Sequence, residues 1–393
     1  MKRTIIELRT VLTLLGVHSA LIASAIHNSG SFAPHVEVLR TPNGGIQPQT
    51  VLDGDDTLHV IYFKGDASGG DVEYVSRSRN RADFSKPIRV NTVPGSAVAI
   101  GTVRGPQMAL GRDGRVYVIW FGAQLKSDDS TATMPVFFAR LNDSHTAFET
   151  QRDVMQYAKG GDGGLSVAAD MRGNVYAVWH ATGGEPGEDH RVVYMAHSAD
   201  DGKHFDREIP ISPPELGACG CCGMRALADK SGTFYVFYRA AAKSVHRDMT
   251  LLVSSVQGRT FRTIAVAPWE LNACPMSTAY LSEAGRGIFA AWERAGQVYF
   301  ERIDRDSFTS SQPVEAPAEG KNRKHPAIAA NASDQTLFVW TEGTAWAKGG
   351  SLAWQLFDKD GKPLGATGYS LDVPVWDRPS VLSDRLGNFT VMY

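Results

Sequence analysis

Seven copies of one short pattern constrain the fold of this chain more than any other feature. They are "PQTVLDGDDTLHVIY" (48–62), "PQMALGRDGRVYVIW" (106–120), "LSVAADMRGNVYAVW" (165–179), "MRALADKSGTFYVFY" (224–238), "TAYLSEAGRGIFAAW" (278–292), "PAIAANASDQTLFVW" (326–340) and "PSVLSDRLGNFTVMY" (379–393). Each reads as an apolar run, a turn rich in Asp, Asn and Gly, and a second run of β-branched and aromatic residues, which is the pattern of a two-stranded hairpin. The closing aromatics Tyr62, Trp120, Trp179, Tyr238, Trp292, Trp340 and Tyr393 fall 58, 59, 59, 54, 48 and 53 residues apart, a period that belongs to repeat architectures. Between the hairpins lie segments such as "RVVYMAHSADDGKHFDREIPI" and "MTLLVSSVQGRTFRTIAV", again two strand-like runs around a polar turn. Two hairpins per period make four antiparallel strands, one propeller blade, and no stretch carries a helical period. The expected fold is all-β, a seven-bladed β-propeller of four-stranded antiparallel blades. The segment "APHVEVLRT" (33–41) precedes the first repeat and is expected to complete the seventh blade and cover its open edge. The short interval before Trp340 leaves a six-bladed ring with an irregular module as the runner-up.

A chain of 393 residues would by length alone suggest several domains, but the repeats assign residues 26–393 to a single propeller. The formal charge of -2 and the absence of any Lys/Arg run exclude a phosphate-neutralising surface, so nucleic acid is not an expected partner. Residues 1–25 begin Met1, Lys2, Arg3, continue through an apolar stretch and end "IASA", the marks of a cleavable export signal. A secreted or periplasmic protein is therefore expected, without a membrane span once the signal is removed, and as a monomer.

The turn "SADDGKHF" carries Ser198, Asp200, Gly202 and Phe205 in the S-x-D-x-G-x-x-aromatic spacing of an Asp-box, and "SVQGRTF" (255–261) is a degraded copy. Such a turn is structural: the Asp caps backbone N–H groups, Gly supplies positive φ and the aromatic ring packs between strands. On these residues the chain resembles the sialidase-like, Asp-box superfamily of propellers. More narrowly, "CGCC" (219–222), Tyr238-Arg239, Arg247-Asp248, Trp269 and Cys274-Pro275 resemble an exported bacterial subgroup of that superfamily. The resemblance implies a carbohydrate, an acidic glycan above all, as ligand or substrate. The chain departs from true sialidases in having no Arg-Ile-Pro motif, one well-formed Asp-box, and seven repeats where sialidases have six blades.

In a propeller the loops entering strand one and leaving strand two of each blade share one end, opposite the Asp-box turn. Loops on such a scaffold carry function. That mouth collects Gln47, Gln49, Lys64, Arg104, Asp162, His180, Met224, Arg225, Arg239, Met276, Glu293, Arg294, Lys324, His325, Asp377 and Arg378. Guanidinium groups bind carboxylate or sulfate, so Arg239, Arg247 and Arg378 are the candidate anion ligands, with Arg104, Gln49 and His180 beside them. The competing reading pairs Arg239 with Asp248 and Arg378 with Asp377 as structural ion pairs. For hydrolysis or lysis the candidates are Asp377, His325 and Glu293, because glycoside cleavage needs two carboxylates, or one and a His, flanking the bond. A non-catalytic binding propeller is the alternative function. The acidic loop "GEPGEDH" (184–190) lacks the spacing of a calcium loop.

Cys219, Cys221, Cys222 and Cys274 are the only cysteines. In an oxidising compartment they favour two disulfides, one from Cys274 to Cys221 or Cys222, the other joining Cys219 to whichever remains. Zinc or copper(I) bound by these thiolates, and redox chemistry, are the minor alternatives, since C-x-C-C is not a usual zinc spacing. No metal and no cofactor is expected.

Overall fold

A computed structural model describes residues 34–393 apart from 124–133, 319 and 321. The expected export signal and most of the "GAQLKSDDSTATM" loop (122–134) lie outside the described residues. Residues from Pro34 to Tyr393 form one compact unit.

The repeats fold as seven blades. Their inner strands are Ile46–Leu52, Gln107–Leu110, Leu165–Ala169, Arg225–Ala228, Tyr280–Ala284, Arg323–Ala330 and Ser380–Ser383, for blades 1 to 7. Each pairs antiparallel with the second run of its repeat, and blades 1 to 6 add two further antiparallel strands. The inner strands adjoin in order and blade 7 adjoins blade 1, so the ring is closed and the six-bladed alternative is excluded. The 48-residue interval before Trp340 has a local cause. In blade 5, strands Gly287–Arg294 and Gln297–Asp304 are joined by Ala295 and Gly296 alone, both at positive φ of 54° and 76°, a two-residue hairpin where other blades carry loops. No helix among the described residues is long and apolar enough to cross a membrane.

Blade 7 corrects one detail of the expected topology. It has three described strands, Ser380–Ser383, Phe389–Met392 and Val36–Leu39, and the last runs parallel to its neighbour, with Val36 opposite Phe389 and Leu39 opposite Met392. The reason is directional. Residues 36–39 lead into the inner strand of blade 1, so they must run as an outermost strand does, yet they dock directly on the second strand, where an antiparallel third strand normally lies. Backbone bonds from Phe389 N to His35 O (2.8 Å), Tyr393 N to Leu39 O (3.1 Å) and Thr41 N to Tyr393 O (2.8 Å) fasten this seam.

The closing aromatics explain the period. Trp120, Trp179, Trp292 and Trp340 are at most 2% exposed, filling the wedges between blades with Tyr62 and Tyr238. Polar side chains stitch the inner strands across the blade seams. Gln49 Oε1 accepts from Met108 N (2.8 Å), Ser166 Oγ from Ala226 N (2.9 Å) and Ser380 Oγ from Thr50 N (3.1 Å). Each caps an N–H that the neighbouring inner strand cannot satisfy within its own sheet. Replacing Ser380 by Ala strands the buried N–H and hydroxyl of Thr50, and is expected to cost about 1–3 kcal/mol in denaturant unfolding with an unchanged m-value. A loss within experimental error would show that water replaces the stitch.

The hairpin turns share one device. Asp53, Asp170, Asp229 and Asn331 each accept, through one side-chain oxygen, the N–H groups two and four residues on, at 2.8–3.0 Å. This is why the repeats carry Asp or Asn there. In the Ser198–Phe205 turn, Ser198 Oγ donates to Asp200 Oδ1 (2.8 Å), Gly202 N donates to Ser198 Oγ (3.0 Å) and His204 N to Asp200 Oδ1 (2.9 Å). Phe205 packs edge-on against Phe138 of the preceding blade at 4.8 Å between centroids. Gly202, at φ 74°, sits so close to Phe138 that an added Cβ would lie 2.8 Å from it. Ser254 and Gly258 repeat the same bond (3.0 Å) in the degraded copy.

Candidate functional site

The entry end of the inner strands is built from strained backbone. Gln47, Thr102, Met276, His325 and Trp376 all sit at positive φ, between 47° and 66°, Gln47 and His325 in the first residues of their inner strands and the others a few residues before theirs. Gln47-Pro48 and His325-Pro326 occupy breaks of register in blades 1 and 6. Non-glycine residues hold such conformations only where the surroundings over-determine them. For Gln47 the surroundings are visible: its N–H donates to Asp377 Oδ1 (2.5 Å), its Nε2 donates to Ala99 O (2.7 Å), and a Cβ at Gly105 would overlap its side chain.

Around the axis these strands converge on a small polar group. Gln49 donates through Nε2 to Gln107 Oε1 (2.5 Å), which also accepts from Arg225 Nη1 (3.0 Å). The Arg225 guanidinium lies over the Tyr280 ring at 4.8 Å. Arg378 is buried, its Nη2 reaching Pro106 O at 3.4 Å and its Nε finding no partner among the described residues. Burial and the like charge of Arg225 lower the Arg378 pKa to about 10, and burial also lowers that of Arg225. Neither guanidinium forms an ion pair with a described carboxylate. The adjacent carboxyl, Asp377, accepts from the N–H groups of Gln47 and Arg378 through Oδ1, while its buried Oδ2 has no partner among the described residues. Burial raises its pKa to about 7 in spite of those bonds and the charge of Arg378.

The fold has relatives among solved structures. Solved propellers share this architecture. A Dyadobacter fermentans protein of unknown function matches at a TM-score of 0.53 and 12% identity, over 87% of this chain and 98% of that one. A Hadza microbial sialidase matches at 0.51 and 14%, over 79% and 68%. Penicillium chrysogenum α-L-arabinanase, complexed with arabinobiose, matches at 0.50 and 10%, over 84% and 98%. At these identities the fold alone is shared. No protein-family model matches the chain, and no curated protein is similar to it in sequence.

The other candidate residues are placed less centrally. Arg239 donates to Arg247 O (2.9 Å) and Glu293 O (2.6 Å) and stacks over Trp269 at 5.1 Å. Its carboxylate neighbour is Glu293 at 3.8 Å, not Asp248, which instead accepts from Trp269 N (2.7 Å). Arg247 is bound to Glu188 Oε2 (2.5 Å) and Ser244 O (3.0 Å), and Arg104 to Asp162. Gln49 is engaged in the seam described above. These side chains are held by the protein itself; of the arginines singled out from sequence, Arg239 and Arg378 each keep a buried Nε with no partner among the described residues, and Arg378 is the one with no carboxylate ion pair. The expected ion pair of Arg378 with Asp377 is a backbone bond instead, from Arg378 N at 2.8 Å.

His180 and His325 are buried, and burial drops each imidazole to a pKa of about 3, so both are neutral near pH 7. Glu293 is buried, accepts from Gly296 N (2.8 Å) and is raised above the usual carboxylate range by that burial. Of the three candidate acids and bases, His325 is neutral at pH 7, Glu293 is raised by burial, and Asp377 is raised to about 7. A crevice lined by Met276, His325 and Trp346 encloses about 10 Å³, too little for a sugar ring. At the opposite, hairpin-turn end, a bowl of about 530 Å³ is lined by Leu52, Leu110, Asp170, Met171 and Lys230.

Arg225 is among the residues the sequence places at the mouth but not among its candidate ligands, and Tyr280 is not named there at all. Arg225 occupies the same position of its repeat as Gln49, Gln107, Ser166 and Ser380 do in theirs, and that register would have placed it at the axis. No disulfide joins the four cysteines in this structure: Cys219 Sγ lies 3.4 Å from Cys221 Sγ and 3.3 Å from Cys222 Sγ. Cys274 Sγ and a Glu188 oxygen lie within 4.8 Å of Cys221 Sγ, so Cys274 neighbours Cys221.

Proposed function

We propose that this protein is an exported propeller that binds an acidic carbohydrate at the strand-entry end of its axis, through Arg225 and Arg378. The observation that carries this reading is the pair of guanidinium groups that repel each other and find no carboxylate partner. Burying like charges without a counter-ion is costly, and a carboxylate or sulfate on a sugar relieves that cost with bidentate bonds. The sialidase and the arabinanase that share the fold are consistent with a carbohydrate ligand.

The test is a glycan array and calorimetry on the mature protein. Uronate-containing or sulfated oligosaccharides are expected to bind and neutral ones not, with Arg225→Ala and Arg378→Ala each weakening binding at least about tenfold. Equal retention by both variants, or preference for neutral sugars, would discard the site. A second reading, a carbohydrate-processing enzyme, is favoured by the raised pKa of Asp377. It requires that Asp377→Asn abolish product formation from the bound glycan while leaving affinity intact.

A further inference from the structure

We propose that Cys219, Cys221 and Cys222 form a binding site for one thiophilic d10 metal ion, zinc or cuprous copper, beside the entrance of blade 4. The site is independent of the carbohydrate reading and shares no residue with it.

Three sulfur atoms converge here, with Cys219 Sγ almost equidistant from the other two at 3.3 and 3.4 Å. A disulfide satisfies two sulfurs and leaves the third of this cluster unbonded. A single ion satisfies all three at once. Thiolates about 2.3 Å from a tetrahedral ion stand about 3.8 Å apart, so the two pairs made by Cys219, at 3.4 and 3.3 Å, need open by only about 0.5 Å.

The loop is fixed before any ion arrives. Cys219 N donates to Arg239 O (2.9 Å), Cys222 N to Cys219 O (3.3 Å), Gly223 N to Ser277 O (3.0 Å) and Gly220 N to Glu188 Oε1 (3.0 Å). Cys219 and Cys222 are buried and Cys221 is half-buried, leaving one ligand at an entry path. Arg239 and Arg247 are the cations that face these sulfurs, and they offset the negative charge of the thiolates. Cys274 Sγ and Glu188, both within 4.8 Å of Cys221 Sγ, are the donors at hand for an ion that takes a fourth ligand. On binding, each thiol loses its proton to solvent and its sulfur donates a lone pair to the ion; nothing is oxidised or reduced.

The experiment loads the full-length mature protein, reduced and anaerobic, with zinc chloride or with cuprous acetonitrile complex, and reads metal by mass spectrometry after desalting and X-ray absorption at the bound edge. About one equivalent of one of the two ions, with three or more sulfur neighbours at about 2.3 Å, is the expected result. Cys219→Ser and Cys222→Ser are expected to reduce occupancy at least tenfold. Absorption on the unsubstituted protein keeps the test decisive if those variants fold poorly. Less than a tenth of an equivalent of either ion, a shell of oxygen and nitrogen, or protein from the export compartment carrying two disulfides and refusing metal would overturn the proposal. Zinc in a sulfur shell and cuprous copper in a sulfur shell both support it and tell the two ions apart.

Discussion

Removal of residues 34–41 is expected to abolish cooperative unfolding of the propeller, or to lower its stability by about 5–10 kcal/mol, which for a domain of ordinary stability amounts to the same outcome. The segment contributes the third strand of blade 7, paired from Val36 to Leu39 with Phe389 to Met392. Val36 and Val38 pack on the blade 6–7 core and Leu39 on the core shared with Met392. Several backbone bonds at about 1 kcal/mol each, and three partly buried aliphatic side chains at about 1.5 kcal/mol each, account for the range. The deletion also uncovers the edge of Phe389–Met392, an open template for pairing with another chain. Urea unfolding followed by tryptophan fluorescence, with light scattering for molar mass, reads both consequences. A monomeric variant with an unshifted midpoint would show that the ring closes without this strand.

The second large effect is a pH dependence centred on Asp377. Its pKa of about 7 in the folded protein stands above the ordinary carboxyl value of 3.8, so the folded state holds a proton that the unfolded state releases. The stability it contributes is therefore fully present below about pH 4 and is lost as the pH rises through 7. His180 and His325 act in the opposite sense. Each falls from 6.5 to about 3 on folding, so their contribution is present above pH 6.5 and lost as the pH falls toward 3. The two trends oppose each other between pH 4 and 6.5 and flatten the wild-type profile. Asp377→Asn removes one of them while keeping an acceptor for the N–H groups of Gln47 and Arg378. The variant should match the wild type near pH 4 and exceed it by a few kcal/mol near pH 8. A constant difference across that range would place the Asp377 pKa near its ordinary value.

What the sequence made legible follows from what repeats in it. The apolar runs and Asp/Asn turns recur at a fixed period, so blade number, hairpin placement and the sealing role of residues 33–41 could be read directly. The direction of that seal could not, because alternation within "VEVL" is the same for a parallel and an antiparallel neighbour. Side-chain partners were legible only in part. Arg239, Arg247 and Arg104 stand at the expected end but are bound by Glu293, Glu188 and Asp162, residues 54, 59 and 58 positions away in sequence. Those separations are themselves close to the repeat period, so contacts between adjacent blades could have been anticipated by aligning the loops as well as the strands. Gln49 shows the same effect from the other side. Its amide looks like a ligand-binding group until the neighbouring inner strand is laid beside it and Met108 N takes its oxygen.

The parallel seam also sets how the molecule resists being pulled. Tension applied at residues 35 and 393 runs along Val36–Leu39 and Phe389–Met392 from opposite ends of two strands that point the same way. The bonds across that ladder are then loaded together in shear, whereas an antiparallel pair stretched from a common end would open one rung at a time. The ring is in effect fastened by a mechanical clamp, and extension by a force probe should meet its first barrier there.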